Sequence, residues 1–125
     1  MEKNKQYNKR RKGSEFEDAA AKYLVGKGHR ILAKNFRNRF GEIDIVSFDE
    51  KSNLLVFTEV KYRAHERAGS PEEAVTVQKQ RNISLVAQYY IMKYGQYADI
   101  PVRFDVIAFH GEELKHIPDA FPFRS

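Results

Sequence analysis

The 125-residue chain contains no cysteine. Disulfides, thiolate metal ligands and a cysteine nucleophile are therefore excluded. No apolar run approaches the roughly 20 residues that span a bilayer. The N-terminus is polar, with no apolar stretch behind it, so a secretory signal is not expected. These absences leave cytoplasmic residence, with no membrane partner, as the expectation. No internal repeat and no linker-like stretch divides the chain. The four histidines, His29, His65, His110 and His116, are scattered without metal-ligand spacing and are expected at the surface.

What is present suits one globular domain with its own core: 42% of residues are hydrophobic and 13% aromatic. The net charge of +5 is unevenly placed. Residues 1–12 hold Lys3, Lys5, Lys9, Arg10, Arg11 and Lys12 against Glu2, which accounts for all of it. The expected organisation is a disordered basic tail over 1–12 and a single domain over 13–125. Inside the neutral domain, residues 27–39 form a local basic cluster with Lys27, Arg30, Lys34, Arg37 and Arg39 and no acid. Such a segment suits a phosphate backbone, because each contact releases counterions.

Ser14 and Glu17 have capping-box spacing, and Phe16, Ala20, Tyr23 and Leu24 form an apolar stripe. They predict a first helix from Ser14 to Gly26 or Gly28. A first strand is expected over Ile31–Arg37, with imperfect alternation. Ser70, Pro71 and Glu73 mark the start of a long second helix ending near Tyr94. Its apolar side comprises Val75, Ile83, Val86, Ala87, Tyr90 and Tyr94, and Lys79 shares that side. A further strand is expected over Val102–Phe109, with Arg103 and Asp105 alternating against Phe104, and a short edge strand over Leu114–Ile117.

Between them lies the stretch Gly41–Arg63, read as two strands joined by a turn at Glu50–Asn53. A four-residue loop pairs Asp49 with Leu54, Phe48 with Leu55 and Val46 with Phe57. Continued outward, it places Asp44 opposite Glu59 and Glu42 opposite Lys61. Directly opposed residues have Cβ atoms about 4.5–5.5 Å apart. Two carboxylates that close repel unless a proton or cation joins them. Asp44 and Glu59 are thus candidate ligands for Mg²⁺ or Mn²⁺, which favour a few carboxylates plus water. The carbonyl of Val60 is a further candidate ligand. Lys61, held among carboxylates, is expected to stay protonated and to stabilise charge on a phosphate. Glu42 pairs with Lys61 in this register. Lys79 is a candidate phosphate contact, alongside Arg30, Lys34, Arg37 and Arg39.

Several segments carry a family resemblance. They are Phe16–Ala20, Asn35–Arg37, Gly41–Val46, Val56–Arg63, Lys79–Arg81 and Arg103–Val106. In this order the chain resembles the YraN family of bacterial proteins, itself similar to Holliday-junction resolvases within the PD-(D/E)xK, or restriction-endonuclease-like, superfamily. The resemblance covers about residues 13–117. It implies an α/β fold with an α-β-β-β-α-β core and a mixed sheet flanked by helices. It also implies a catalytic and metal site at Asp44, Glu59 and Lys61, with Glu17 as an accessory acid from the first helix. The function implied is metal-dependent hydrolysis of DNA, including branched or structured DNA. A non-catalytic nucleic-acid-binding module on the same fold is the alternative. Resolvases act as dimers on symmetric junctions, which adds a homodimer to the expected partners.

Overall fold

The computed structural model describes residues 2–63 and 75–125, with side chains from Gly13 onward. Helix α1 spans Glu2–Gly26. Strands β1 (His29–Asn38), β2 (Gly41–Asp49) and β3 (Leu54–Arg63) follow as an antiparallel meander. Helix α2 (Val77–Lys93) and a 3₁₀ turn at Gly95–Tyr97 lead to β4 (Val102–His110) and β5 (Glu113–Phe121). The sheet order is β1-β2-β3-β4-β5. Among the described residues, only the β3–β4 pair is parallel. A parallel neighbour needs a crossover, and α2 supplies it. This is the expected α-β-β-β-α-β order, extended by β5, and it is consistent with a restriction-endonuclease-like core.

Each helix covers one face of the sheet. Ala20, Ala21 and Leu24 of α1 bury against Ile45, Ile107 and Phe109. Ile83, Val86, Ala87 and Tyr90 of α2 bury against Ile43, Val46, Leu55, Phe57, Phe104 and Val106. Both apolar stripes read from the sequence are therefore the core-facing ones. Phe57 and Val106 are almost completely inaccessible. Gly28 ends the α1 turn at φ 96, a conformation costly for side-chain-bearing residues.

Four expectations need correction. Helix α1 begins at Glu2, not Ser14. Residues 2–12 are mostly Glu, Lys, Gln and Arg, which have good helix propensity. Adding them to a formed helix requires no new nucleus. Helix α2 starts at Val77, with Thr76 as its N-cap accepting from the Lys79 amide. The cap proposed at Ser70–Glu73 lies outside the described residues, as does His65. The edge strand β5 runs to Phe121, well past Ile117. Finally, His29 is buried, with Nδ1 2.9 Å from Ser47 Oγ, and His116 Nε2 lies 2.8 Å from the buried Asp105. Both histidines face polar partners between α1 and the sheet, which periodicity alone does not reveal.

Candidate functional site

The β2–β3 register is the one read from the turn: Asp49–Leu54, Phe48–Leu55 and Val46–Phe57 are paired. The ladder ends at Ile45–Thr58. Beyond it the strands part, and the Val60 amide donates to Asp44 Oδ2 at 2.7 Å. Asp44 and Glu42 therefore do not continue the ladder opposite Glu59 and Lys61. The cause lies in β1 and β2. Ile43 packs on the α2 side while Ile45 packs on the α1 side. Residues two apart on a regular strand share a face, so β2 rotates at Asp44. On β1, Lys34 pairs with Asp18 of α1 while Phe36 joins the α2-side core. Between them Asn35 takes φ 52. The β1–β2 ladder steps from Lys34–Ile45 to Phe36–Ile43, skipping Asn35 and Asp44. One shared kink thus frees Asp44 from the sheet.

The kink gathers three carboxylates. Glu17 from α1, and Glu42 and Asp44 from β2, each offer an oxygen within 4.8 Å of the others. Glu17 was expected from the resemblance. Glu42 was expected opposite Lys61; it instead lies 3.7 Å from Arg37 and joins the trio. Its signal in the sequence was its position two residues before Asp44, which a regular strand already places on the same side.

Glu59 follows Phe57 on the α2 side of β3. Its Oε2 lies 3.5 Å from Lys79 Nζ and 4.0 Å from Lys61 Nζ. Its Oε1 is buried with no hydrogen-bond partner among the described residues. Burial pushes the Glu59 carboxyl up to about 7, with Asp44 adding to the effect and the two lysines opposing it. Asp44 is pushed up to about 6 by burial; the Val60 amide pulls the other way, and Glu17 and Glu42 raise it further. Burial lowers Lys61, and contact with Lys79 lowers it further, against the pull of Glu59 and Asp44. Burial also opposes charge on Lys79, but its contacts with Lys61 and Glu59 outweigh that and hold it above an ordinary lysine.

The chemistry of this donor set fits a hard divalent cation. Clustered carboxylates in a partly desolvated setting supply oxygen ligands and repel one another. Asp44, Glu42 and Glu17 are the residues positioned to hold such an ion together. Glu59, with its orphaned oxygen, is electrostatically adjacent through Asp44.

The basic candidates separate. Lys79 is at the site. Arg37 lies beside Glu42 of the trio, and Arg39 is in the β1–β2 turn, over the Phe40 ring at 4.8 Å. Lys34 is held by Asp18 at 2.7 Å. Arg30 pairs with Glu50 at the other end of the sheet, roughly 20 Å along β1 from Arg37. Arg103 and Asp105 do pair, through two contacts of 2.8 and 2.9 Å, as part of a separate buried network on β4 and β5. Among the described residues, no helix is long and apolar enough to cross a membrane.

Comparison with known proteins places the chain among close relatives. It is 46% identical over 114 residues to a UPF0102 protein of Lachnoclostridium phytofermentans, covering 91% of this chain and 95% of that one. It is 45% identical to a UPF0102 protein of Thermodesulfovibrio yellowstonii, covering 87% and 94%. The relative from Persephonella marina is 42% identical, covering 88% and 92%. A solved structure, Pyrococcus furiosus SfsA in complex with Ca²⁺, aligns at 14% identity with a TM-score of 0.32, covering 88% of this chain and 63% of that one. That likeness is too slight to bear on function. The family pattern described as uncharacterised protein family UPF0102 matches residues 16–109 and includes every carboxylate of the site. The chain belongs to the UPF0102 family.

Proposed function

We propose that this protein is a metal-dependent nuclease hydrolysing phosphodiester bonds in DNA, branched or structured DNA included. The observation that carries the reading is the Glu17–Glu42–Asp44 trio within 4.8 Å, next to the Lys61–Glu59–Lys79 cluster. Mg²⁺ or Mn²⁺, when bound, supplies Lewis-acid polarisation of a phosphoryl oxygen and a more acidic water. Asp44, Glu42 and Glu17 would hold the ion, with Glu59 in its acidic surroundings. The Val60 amide fixes the orientation of Asp44. Lys79, kept protonated, faces the phosphate charge that grows in the transition state. Lys61 contacts both Glu59 and Lys79 and positions them.

The competing reading is a nucleic-acid-binding module without catalysis. Purified protein incubated with duplex, single-stranded and four-way-junction DNA in Mn²⁺ separates them. Cleavage that disappears in Asp44→Ala supports the nuclease. Metal-independent binding with no cleavage of any substrate would falsify it.

A further inference from the structure

Beside the trio lies an open cavity of about 630 Å³, lined by Gly13, Ser14, Glu17, Asn35 and Arg37. We propose that it seats the backbone phosphate next to the scissile one, with Arg37 and Asn35 as positioning residues. The inference rests on the nuclease reading above.

The lining sets the ligand chemistry. Among the described residues it offers a hydroxyl, a carboxamide and a guanidinium as donors beside the Glu17 carboxylate, and no apolar side chain to receive a base. Donors of this kind match the oxygens of a phosphodiester. The volume falls within the ordinary range of ligand sites, about 300–1,000 Å³. The cavity also adjoins the chemistry directly. It shares Glu17 with the trio, and Arg37 lies 3.7 Å from Glu42, another trio member.

Two further facts single out Arg37 and Asn35. The Arg37 side chain is 71% exposed, and its contact with Glu42 is long, so the pair holds it weakly. A cation held by the trio competes for Glu42 and leaves the guanidinium to an incoming anion. Asn35 stands at the kink, in the left-handed region that asparagine tolerates better than most residues. The kink that turns Asp44 toward the carboxylates also takes Asn35 out of the ladder and into the cavity wall. Reacting phosphate and neighbouring phosphate would thus be registered by one distortion of two paired strands.

The test is DNA binding by fluorescence anisotropy in Ca²⁺, across a salt series, with single-stranded and four-way-junction oligonucleotides. Each phosphate is replaced in turn by an uncharged methylphosphonate. In the wild type, one position beside the cleavage site weakens binding when neutralised. Arg37→Gln loses sensitivity at that position, and its log–log salt slope falls by about 0.7–0.9, the loss of one phosphate contact. Asn35→Gly keeps the left-handed backbone and weakens binding through the same phosphate, with the slope unchanged. An Arg37→Gln protein with the wild-type slope, or with wild-type sensitivity at every position, overturns the proposal. Cleavage is scored separately in Mn²⁺. A protein that keeps this phosphate signature but cuts nothing retains the cavity and loses the nuclease reading; cleavage without the signature does the reverse. A wild type that binds neither oligonucleotide ends both.

Discussion

The Asp44 carboxylate accepts the Val60 amide hydrogen at 2.7 Å, one residue past the last paired position of the β2–β3 ladder. A side chain has replaced a backbone carbonyl as the acceptor. This bond fixes the carboxylate where the two strands separate.

Asp44→Asn keeps an acceptor for Val60 and removes the charge; Asp44→Ala keeps neither. Both should abolish cleavage and divalent-metal uptake. The two separate in stability, because Ala leaves a part-buried amide unpartnered, at about 1–3 kcal/mol. Urea unfolding of metal-free protein checks this: Asn should be at least as stable as wild type, and Ala less stable than Asn. Equal stability of the two variants would refute the role given to the bond.

The raised carboxyls make an explicit pH prediction. Asp44 and Glu59 have folded-state values of about 6 and about 7, above their ordinary values of 3.8 and 4.5. Between these limits the folded protein holds more protons than the unfolded chain, so its stability falls as pH rises. Metal-free protein should therefore lose stability from pH 5 to pH 8, by an amount on the order of 2–3 kcal/mol if Glu59 dominates. Glu59→Gln should flatten that profile. A Glu59→Gln protein with the wild-type slope would assign the pH dependence elsewhere.

Divalent metal should act in the opposite sense. Binding to the folded state alone stabilises by about 2.7 kcal/mol at a metal concentration 100-fold above Kd. Thermal melts in Mn²⁺ should rise for the wild type, more at pH 8 than at pH 5, where protons compete for the carboxylates. Glu42→Gln should weaken this effect, as Glu42 belongs to the trio. An unchanged Mn²⁺ response in that variant would remove Glu42 from the ligand set.

The network around Asp105 should behave as scaffold. Arg103, His116 Nε2 and the Asp119 amide all converge on this fully buried carboxylate. Burial raises its pKa, but these partners outweigh that and hold it below the usual range. Asp105→Ala should cost about 3–5 kcal/mol, the penalty for stranding a buried charged partner, and leave metal affinity unchanged. A loss of Mn²⁺ binding in a folded variant would tie the network to the site.

Lys79 and Lys61 differ in direction of pKa shift, so their replacements should differ as well. Lys79→Ala should lower the cleavage rate about 10²–10³-fold, as expected when one preorganised charge donor is lost. Lys79→Arg should recover part of that rate. Single-turnover kinetics at saturating DNA distinguishes this from weaker binding.

Much of the architecture was legible because it follows simple periodicities. The α2 stripe from Val75 to Tyr94 and the α1 stripe from Phe16 to Leu24 both face the sheet as spacing requires. The polar turn at Glu50–Asn53 fixed the hairpin register. The site itself was only half legible. Lys61, Glu59 and Asp44 converge, but the direct Asp44–Glu59 pairing assumed a regular strand. The rotation at Asp44 depends on Asn35 across the ladder, a non-local coupling with no signature in either segment alone. His29 was misplaced for a related reason: its partner Ser47 is on another strand, and a polar pair buried across strands looks like two surface residues in sequence.

The kink has a consequence for self-association. β1 is one open edge of the sheet, and it is interrupted by a register shift near Leu32 and by Asn35 in the left-handed region. β5 is the other, and it contains Pro118, which has no amide hydrogen, and Asp119 at φ 53. Neither edge offers a long, flat row of free donors and acceptors to a second chain. The distortion that shapes the carboxylate cluster therefore also guards an otherwise open sheet against edge-to-edge aggregation.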